Sequence, residues 1–298
     1  MDVGFIGLGA MGGKMAANLI KGGHPLWVYD INTAAVERLT ALGAKACSSS
    51  REASAGRDAV IMSLPVPAVI EQVVLGPEGV LSASPAPRIL IDMSTSLPAL
   101  TKQISTMAAE KGCQLLDAPV SGRPEGAANA TLGIMVGGPE KAFEQALPLL
   151  RLLGSSVHHT GEVGTGHAMK LVNNSITGVT TNVIGEALMM GTLAGIDPQV
   201  MYEVLSASSA NSRSLQNVLP RVLKGDYDPG FTIDLMHKDL DLAAKLGQEM
   251  GVPMPAVNLA KQSYQLARVL GLGQKDTSGM ALMMEQLLGR KMREKVTE

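Results

Sequence analysis

A short apolar run, Val3–Ile6, passes without a break into Gly7-Leu8-Gly9-Ala10-Met11-Gly12 and then into the helical spacing of Lys14–Lys21. Strand, glycine turn and helix in that order leave few folds open. The first glycine allows a tight turn, the second lets the backbone approach a ligand, and the third permits close helix–strand packing. The helix N-terminus adds unpaired N–H groups and the positive end of a dipole, which suits a pyrophosphate. Glycine supplies 33 of the 298 residues, so the spacing alone is weak and a turn serving only helix packing competes with it. The flanking strand and helix, and an acid farther on, favour the dinucleotide. That acid is Asp30, which ends the run Leu26–Tyr29, 18 residues past Gly12. A carboxylate there binds a ribose 2′-hydroxyl and repels a 2′-phosphate, and no arginine follows it at once (Ile31, Asn32, Thr33). NAD is therefore the expected cofactor, with NADP second, held by Gly7, Leu8, Gly9, Ala10, Met11, Gly12 and Asp30.

Further strand-like runs at Ala59–Ser63, Ile89–Ile91, Gln114–Asp117 and Leu132–Val136 alternate with helical segments such as Ala34–Leu42 and Ala99–Lys111. This alternation predicts βαβ units and a parallel, doubly wound sheet covered on both faces. From Gly166 onward the pattern is helical, over about 167–195, 198–207, 213–224, 235–250, 256–270 and 278–293, broken by Gly251-Val252-Pro253 and Gly271-Leu272-Gly273. The expected organisation is an α/β Rossmann domain over 1–162 and an all-α domain over 163–298, joined by a long interdomain helix.

Composition limits the partners. Twenty-five basic against 27 acidic residues give a net charge of −2, which creates no field for a polyanion. Three Phe, four Tyr and one Trp are too few for base-stacking platforms, so neither nucleic acid nor an acidic membrane is expected. The longest uncharged stretch, 171–185, is too rich in Asn, Thr and Ser to span a bilayer. Cys47 and Cys113 lie 66 residues apart without a CxxC, and Met1 leads almost directly into a strand. A reducing, cytoplasmic setting is the expectation. Histidines 24, 158, 159, 167 and 237 show no metal-ligand spacing, so no metal is expected.

On the long helix, Lys170, Asn174, Thr177, Gly178 and Thr181 share one face, a polar stripe on an otherwise apolar element that is expected to line an interdomain cleft. Hydride transfer to a carbonyl leaves negative charge on oxygen, which a nearby ammonium stabilises and protonates. In the reverse direction the amine must be neutral. By itself the pattern leaves Lys170 open between that role and a solvated helix lysine. His167, one turn earlier, is read as a capping or packing residue, with tuning of the lysine as the alternative. Lys238 and Asp239, in Phe231–Ala243, read unaided as a solvated charged face.

These residues resemble the β-hydroxyacid dehydrogenase family from end to end. The resemblance is carried by the glycine loop, Leu64-Pro65, Asp92-Met93-Ser94-Thr95, Asp117-Ala118-Pro119-Val120-Ser121-Gly122, Lys170 with Asn173-Asn174, and Lys238-Asp239-Leu240. It implies a catalytic lysine at Lys170, dinucleotide contacts at Leu64, Pro65, Thr95 and Lys238, and substrate binding by Ser121, Gly122 and Asn174. It also implies a homodimer or homotetramer.

Two departures stand out. Most relatives read Ser-Gly-Gly where this chain has Ser121-Gly122-Arg123, and most carry glycine at the position of Ala130. Arg123 either brings a guanidinium fork to the acidic group of the substrate or points to solvent. Ala130 is expected to have only a small local effect on the backbone. The expected activity is NAD(P)-dependent interconversion of a short 3-hydroxy acid and its semialdehyde, of the tartronate semialdehyde/D-glycerate or 3-hydroxyisobutyrate type. Reduction of 3-sulfolactaldehyde, with Arg123 reading the sulfonate, is the alternative within that chemistry. A non-catalytic NAD-binding interaction module is the alternative from another class.

Overall fold

Residues 1–293 are described by a computed structural model, in which Met1–Lys170 and Leu171 onward form two units. The first unit runs through β1 (Val3–Ile6), α1 (Gly12–Lys21), β2 (Leu26–Tyr29), α2 (Thr33–Thr40), β3 (Lys45–Ala46), α3 (Ser50–Ser54), β4 (Ala59–Met62) and α4 (Pro67–Leu75). After a 3-10 turn at Val80–Ser82 come β5 (Ile89–Asp92), α5 (Pro98–Glu110), β6 (Gln114–Asp117), β7 (Val120–Ser121), α6 (Arg123–Ala128), β8 (Gly133–Gly137), α7 (Glu140–Arg151) and β9 (Ser156–Gly161).

The nine strands form one sheet in the order β3-β2-β1-β4-β5-β6-β8-β7, with β9 on β8. It is parallel from β3 to β6; β8 then runs antiparallel to β6 and β7, and β9 is parallel to β8. Successive residues of the central strands feed opposite faces. Phe5, Ile61 and Ile91 join Met15 and Leu19 of α1 and Leu149 of α7, whereas Ile6, Val60, Met62 and Leu90 join Ile70 of α4 and Ile104 of α5. Burial on both faces is why these strands read as continuous apolar runs.

β9 does not read that way. Its sequence, Ser-Val-His-His-Thr-Gly, is polar and mostly exposed or half-exposed, because it pairs with β8 alone after the α7 crossover. Helix α8 (Thr165–Leu193) begins at the end of the first unit and continues into the second. The second unit adds α9 (Pro198–Ala207), α10 (Arg213–Lys224), α11 (Ile233–Glu249), α12 (Pro255–Val269) and α13 (Gly279–Leu288), with no strand among its described residues beyond the isolated bridge Thr232–Asp276. Its core gathers Ile184 and Leu188 of α8, Met201 of α9, Leu219 of α10 and Ala281 of α13. α13 stops five residues before the expected 293, because Gly289 turns left-handed (φ 63°) and closes the helix. No helix among the described residues is long and apolar enough to cross a membrane.

Candidate active site

The strand order reverses between β1 and β4, and in parallel sheets the crevice beyond the carboxyl ends of such strands receives the ligand. The glycine loop leaves β1 at this point, and Leu64-Pro65 follows β4. Gly7 adopts φ 87°, and a Cβ on Gly12 would overlap the Gly7 carbonyl oxygen, so turn and packing both require glycine. Gly9 differs: it is exposed and a Cβ there meets no atom within 4 Å, the open approach that a pyrophosphate needs. Helix α1 has no side-chain cap at Met11; the Gly13 and Lys14 N–H groups turn to the Gly9 and Met11 carbonyls, so what the helix offers a ligand is the positive end of its dipole at Gly12.

Asp30 accepts the Leu8 N–H at 2.5 Å and the Asn32 N–H at 2.8 Å. It thus shapes the loop, while a carboxylate keeps further lone pairs for a ribose. The next loops are tied together: the Leu64 N–H donates to Ser94 Oγ at 2.9 Å, and the Ser94 N–H donates to Asp92 Oδ1 at 2.9 Å. Thr95, half-buried, follows Ser94. These residues fit a dinucleotide.

Past β6 the chain turns through Val120, Ser121 and Gly122 into α6. Gly122 has φ 140°, and Arg123 and Ala130 have φ 62° and 56°. Both departures from the family's glycines therefore sit in the left-handed region, which costs a side-chain-bearing residue about 1–2 kcal/mol each. The effect at Ala130 is larger than expected from the sequence. Asn18 of α1 donates to the Ala127 carbonyl at 2.8 Å, pinning α6 to the dinucleotide helix.

Lys170 is 8% exposed and its Nζ donates to the Val120 carbonyl at 2.7 Å. It is not a solvated helix lysine. Asp117, fully buried, accepts the Gly164 and His167 N–H groups at 2.8 Å each and so caps α8 from another element. Burial raises the Asp117 carboxyl above its ordinary range, and the neighbouring His167 counters this. Burial also pushes the Cys47 thiol to about 11 and the Cys113 thiol to about 12, so neither is a nucleophile near neutral pH.

In the second unit, Asn174 is 3% exposed and its amide donates to Asp239 Oδ2 at 2.5 Å, while Asn173 Nδ2 donates to Asn174 Oδ1 at 2.9 Å. Lys238 Nζ stands 3.0 Å from Asp239 Oδ1. Asp239 is 1% exposed, so the solvated-face reading of this pair is overturned. The signal was available. Asp239 lies three residues after Met236 and four before Ala243, on the buried stripe of α11. Among the described residues no group of three or more His, Cys, Asp or Glu is placed to hold a metal ion.

Comparison with known proteins agrees with this geometry. Residues 2–161 match the NAD-binding domain of 6-phosphogluconate dehydrogenase, and residues 164–284 match the NAD-binding region of NADP-dependent 3-hydroxyisobutyrate dehydrogenase. The 2-(hydroxymethyl)glutarate dehydrogenase of Eubacterium barkeri is 41% identical, over 97% of this chain and 96% of its own length. The 3-hydroxyisobutyrate dehydrogenase of Pseudomonas aeruginosa is 38% identical, over 89% and 91%. Among solved structures, the 3-hydroxyisobutyrate dehydrogenase of Mycobacterium tuberculosis with L-serine superposes with a TM-score of 0.86 at 31% identity, over 96% of this chain and 98% of its own. The chain belongs to the β-hydroxyacid dehydrogenase family. It is an NAD(P)-dependent oxidoreductase acting on the hydroxyl group of a hydroxy acid.

Proposed function

We propose that this oxidoreductase interconverts a short 3-hydroxy acid and its semialdehyde, with Lys170 as the proton donor and acceptor. The supporting observation is the buried Lys170 side chain, its Nζ held 2.7 Å from the Val120 carbonyl beside Ser121 and Gly122. When bound, the nicotinamide supplies or takes up the hydride. In reduction, Lys170 stabilises the charge developing on the substrate oxygen and passes it a proton; in oxidation, the neutral amine removes that proton. Ser121, Gly122, Arg123 and Asn174 are assigned to the acidic group of the substrate. Gly7 through Gly12, Asp30, Leu64, Pro65, Thr95 and Lys238 are assigned to the dinucleotide, with NAD preferred because of Asp30.

Tartronate semialdehyde/D-glycerate and 3-hydroxyisobutyrate rank first as substrates. Arg123 keeps a second reading alive, in which the guanidinium takes a second acidic group: the extra carboxylate of 2-(hydroxymethyl)glutarate or the sulfonate of a three-carbon sulfonate. Residues 1–162 are proposed as the dinucleotide domain and 163–298 as the substrate and oligomerisation domain of a cytoplasmic homodimer or homotetramer.

The test is a rate comparison over D-glycerate, 3-hydroxyisobutyrate, 2-(hydroxymethyl)glutarate and a three-carbon hydroxysulfonate, with NAD and NADP. Lys170→Ala is expected to lower turnover by at least about a thousandfold with NAD affinity nearly intact; unchanged turnover ends the mechanism. Arg123→Gly reorders the panel if the guanidinium reads an acidic group.

A further inference from the structure

We propose that His167 is a positioning residue for proton transfer: it sits between Asp92 and Asp117 and holds Lys170, the substrate loop and the cofactor loop in one register. This rests on the reading in which Lys170 moves the proton. Asp92 and Asp117 are direct neighbours on the parallel strands β5 and β6, and both are buried. Like charges opposite one another on adjacent strands repel, and in a dry interior little solvent weakens that repulsion. The imidazole of His167, with no exposure, stands against both: Nε2 is 3.9 Å from Asp92 Oδ2 and Nδ1 is 4.0 Å from Asp117 Oδ2.

Its tautomer follows from Thr101 of α5. The Thr101 hydroxyl donates to the Leu97 carbonyl at 3.1 Å, so at the 2.7 Å contact between Thr101 Oγ1 and Nδ1 the ring must be the donor. Nε2 then faces Asp92, and a proton there as well, giving the imidazolium, is the form of the ring that offsets both carboxylates. The ring thus meets Asp92 from β5, Asp117 from β6 and the Thr101 hydroxyl from α5, with Lys170 one turn along its own helix.

Each carboxylate governs one side of the site. Asp117 fixes the first turn of α8 through the Gly164 and His167 N–H groups, and three residues farther along each of these two segments Lys170 meets the Val120 carbonyl. These two ties set the lysine against the loop that continues into Ser121 and Gly122. Asp92 orders Ser94, whose hydroxyl holds the Leu64 N–H at the mouth of the dinucleotide crevice. His167 adjoins both carboxylates. Removing the imidazole leaves two buried carboxylates to move apart or take up a proton, and either outcome displaces a tie. A displacement of about 1 Å at a reacting group costs up to about a hundredfold in rate.

The experiment compares His167→Leu, His167→Gln and Thr101→Val with the parent chain, on whichever panel substrate turns over fastest. Circular dichroism and the melting temperature report folding, and kcat, KM, NAD affinity and the pH profile of kcat report positioning. His167→Leu is expected to lower kcat by about ten- to hundredfold and to shift the limb of the pH profile that titrates Lys170. His167→Gln, which restores a donor toward Thr101, is expected to recover part of kcat. A melting temperature that falls while kcat and its pH profile stay within twofold of the parent overturns the proposal. Should His167→Leu fail to fold, Thr101→Val decides. It keeps the imidazole and both carboxylates while freeing the ring, so a severalfold loss of kcat supports positioning and an unchanged kcat and profile overturn it. Lys170→Ala, run alongside, separates the two ideas. Turnover surviving there removes the lysine reading itself; a dead Lys170→Ala beside a normal His167→Leu removes only the role of His167.

Discussion

Asp239 shows how much of this site depends on single side chains that contact no ligand in the proposed mechanism. Its two oxygens are divided between the Asn174 amide and the Lys238 ammonium, so one carboxylate fixes the orientation of a residue assigned to the substrate and of one assigned to the cofactor. Breaking a buried pair leaves its partner uncompensated, which costs about 3 kcal/mol. Asp239→Ala is therefore expected to lower the midpoint of urea unfolding and to raise KM for both NAD and the hydroxy acid, with kcat/KM down tenfold or more. Parent-like steady-state constants in a destabilised variant would show that the carboxylate serves the fold alone. Lys170 and the loop 121–123 stand out in the sequence because their residue types announce charge and turn. Asp92 and Asp117 do not, because a buried acid at a strand end is distinguished from a solvated one only by what folds against it, whereas Asp239 is marked by its place on the apolar stripe of α11.

At the scale of elements, apolar runs mark β1, β2, β4, β5 and β6 within a residue of their ends, since β1, β4, β5 and all but the first residue of β6 are buried on both faces and β2 buries Leu26 and Val28 with Trp27 and Tyr29 half-buried. β3, β7 and β9 escape notice: two are two-residue strands, and β9 is a polar strand with one partner. The helices of the second unit fall close to their expected places because capping residues such as Asp197, Ser212 and Thr232 stand at their starts. The glycine turn yields a paired prediction. Gly12→Ala forces a Cβ onto the Gly7 carbonyl and is expected to destabilise the chain by about 1–3 kcal/mol or more. Gly9→Ala meets nothing and has no left-handed backbone, so it is expected to fold with an unchanged melting temperature and to lose NAD affinity by about tenfold, or 1.4 kcal/mol. Calorimetric titration of both variants checks this. Intact NAD affinity in Gly9→Ala would place the pyrophosphate elsewhere.

Across the whole molecule, α8 leaves Met169, Ile176, Val183 and Met190 exposed by 42%, 66%, 52% and 70%, spaced seven residues apart on one helix face. A repeated apolar stripe open to water is the kind of surface that copies of a chain bury against one another. The proposed homo-oligomer is expected to dissociate toward the 31.1 kDa monomer when Ile176 is replaced by Glu. Light scattering on the parent and on Ile176→Glu decides it, and an identical mass for both would move the interface off this face. A net charge of −2 gives the chain no overall pull on anions, so recognition falls to a few local groups: an open helix end, a serine-glycine turn and individual cations.

The left-handed backbone at Arg123 has a consequence for how such an enzyme changes its diet. At φ 62° position 123 takes a backbone that glycine adopts freely and that arginine adopts at a toll of about 1–2 kcal/mol. Contour and reader are thus separable in inheritance. One codon installs or withdraws the proposed cationic reader, which makes this position a natural starting point for retargeting the enzyme.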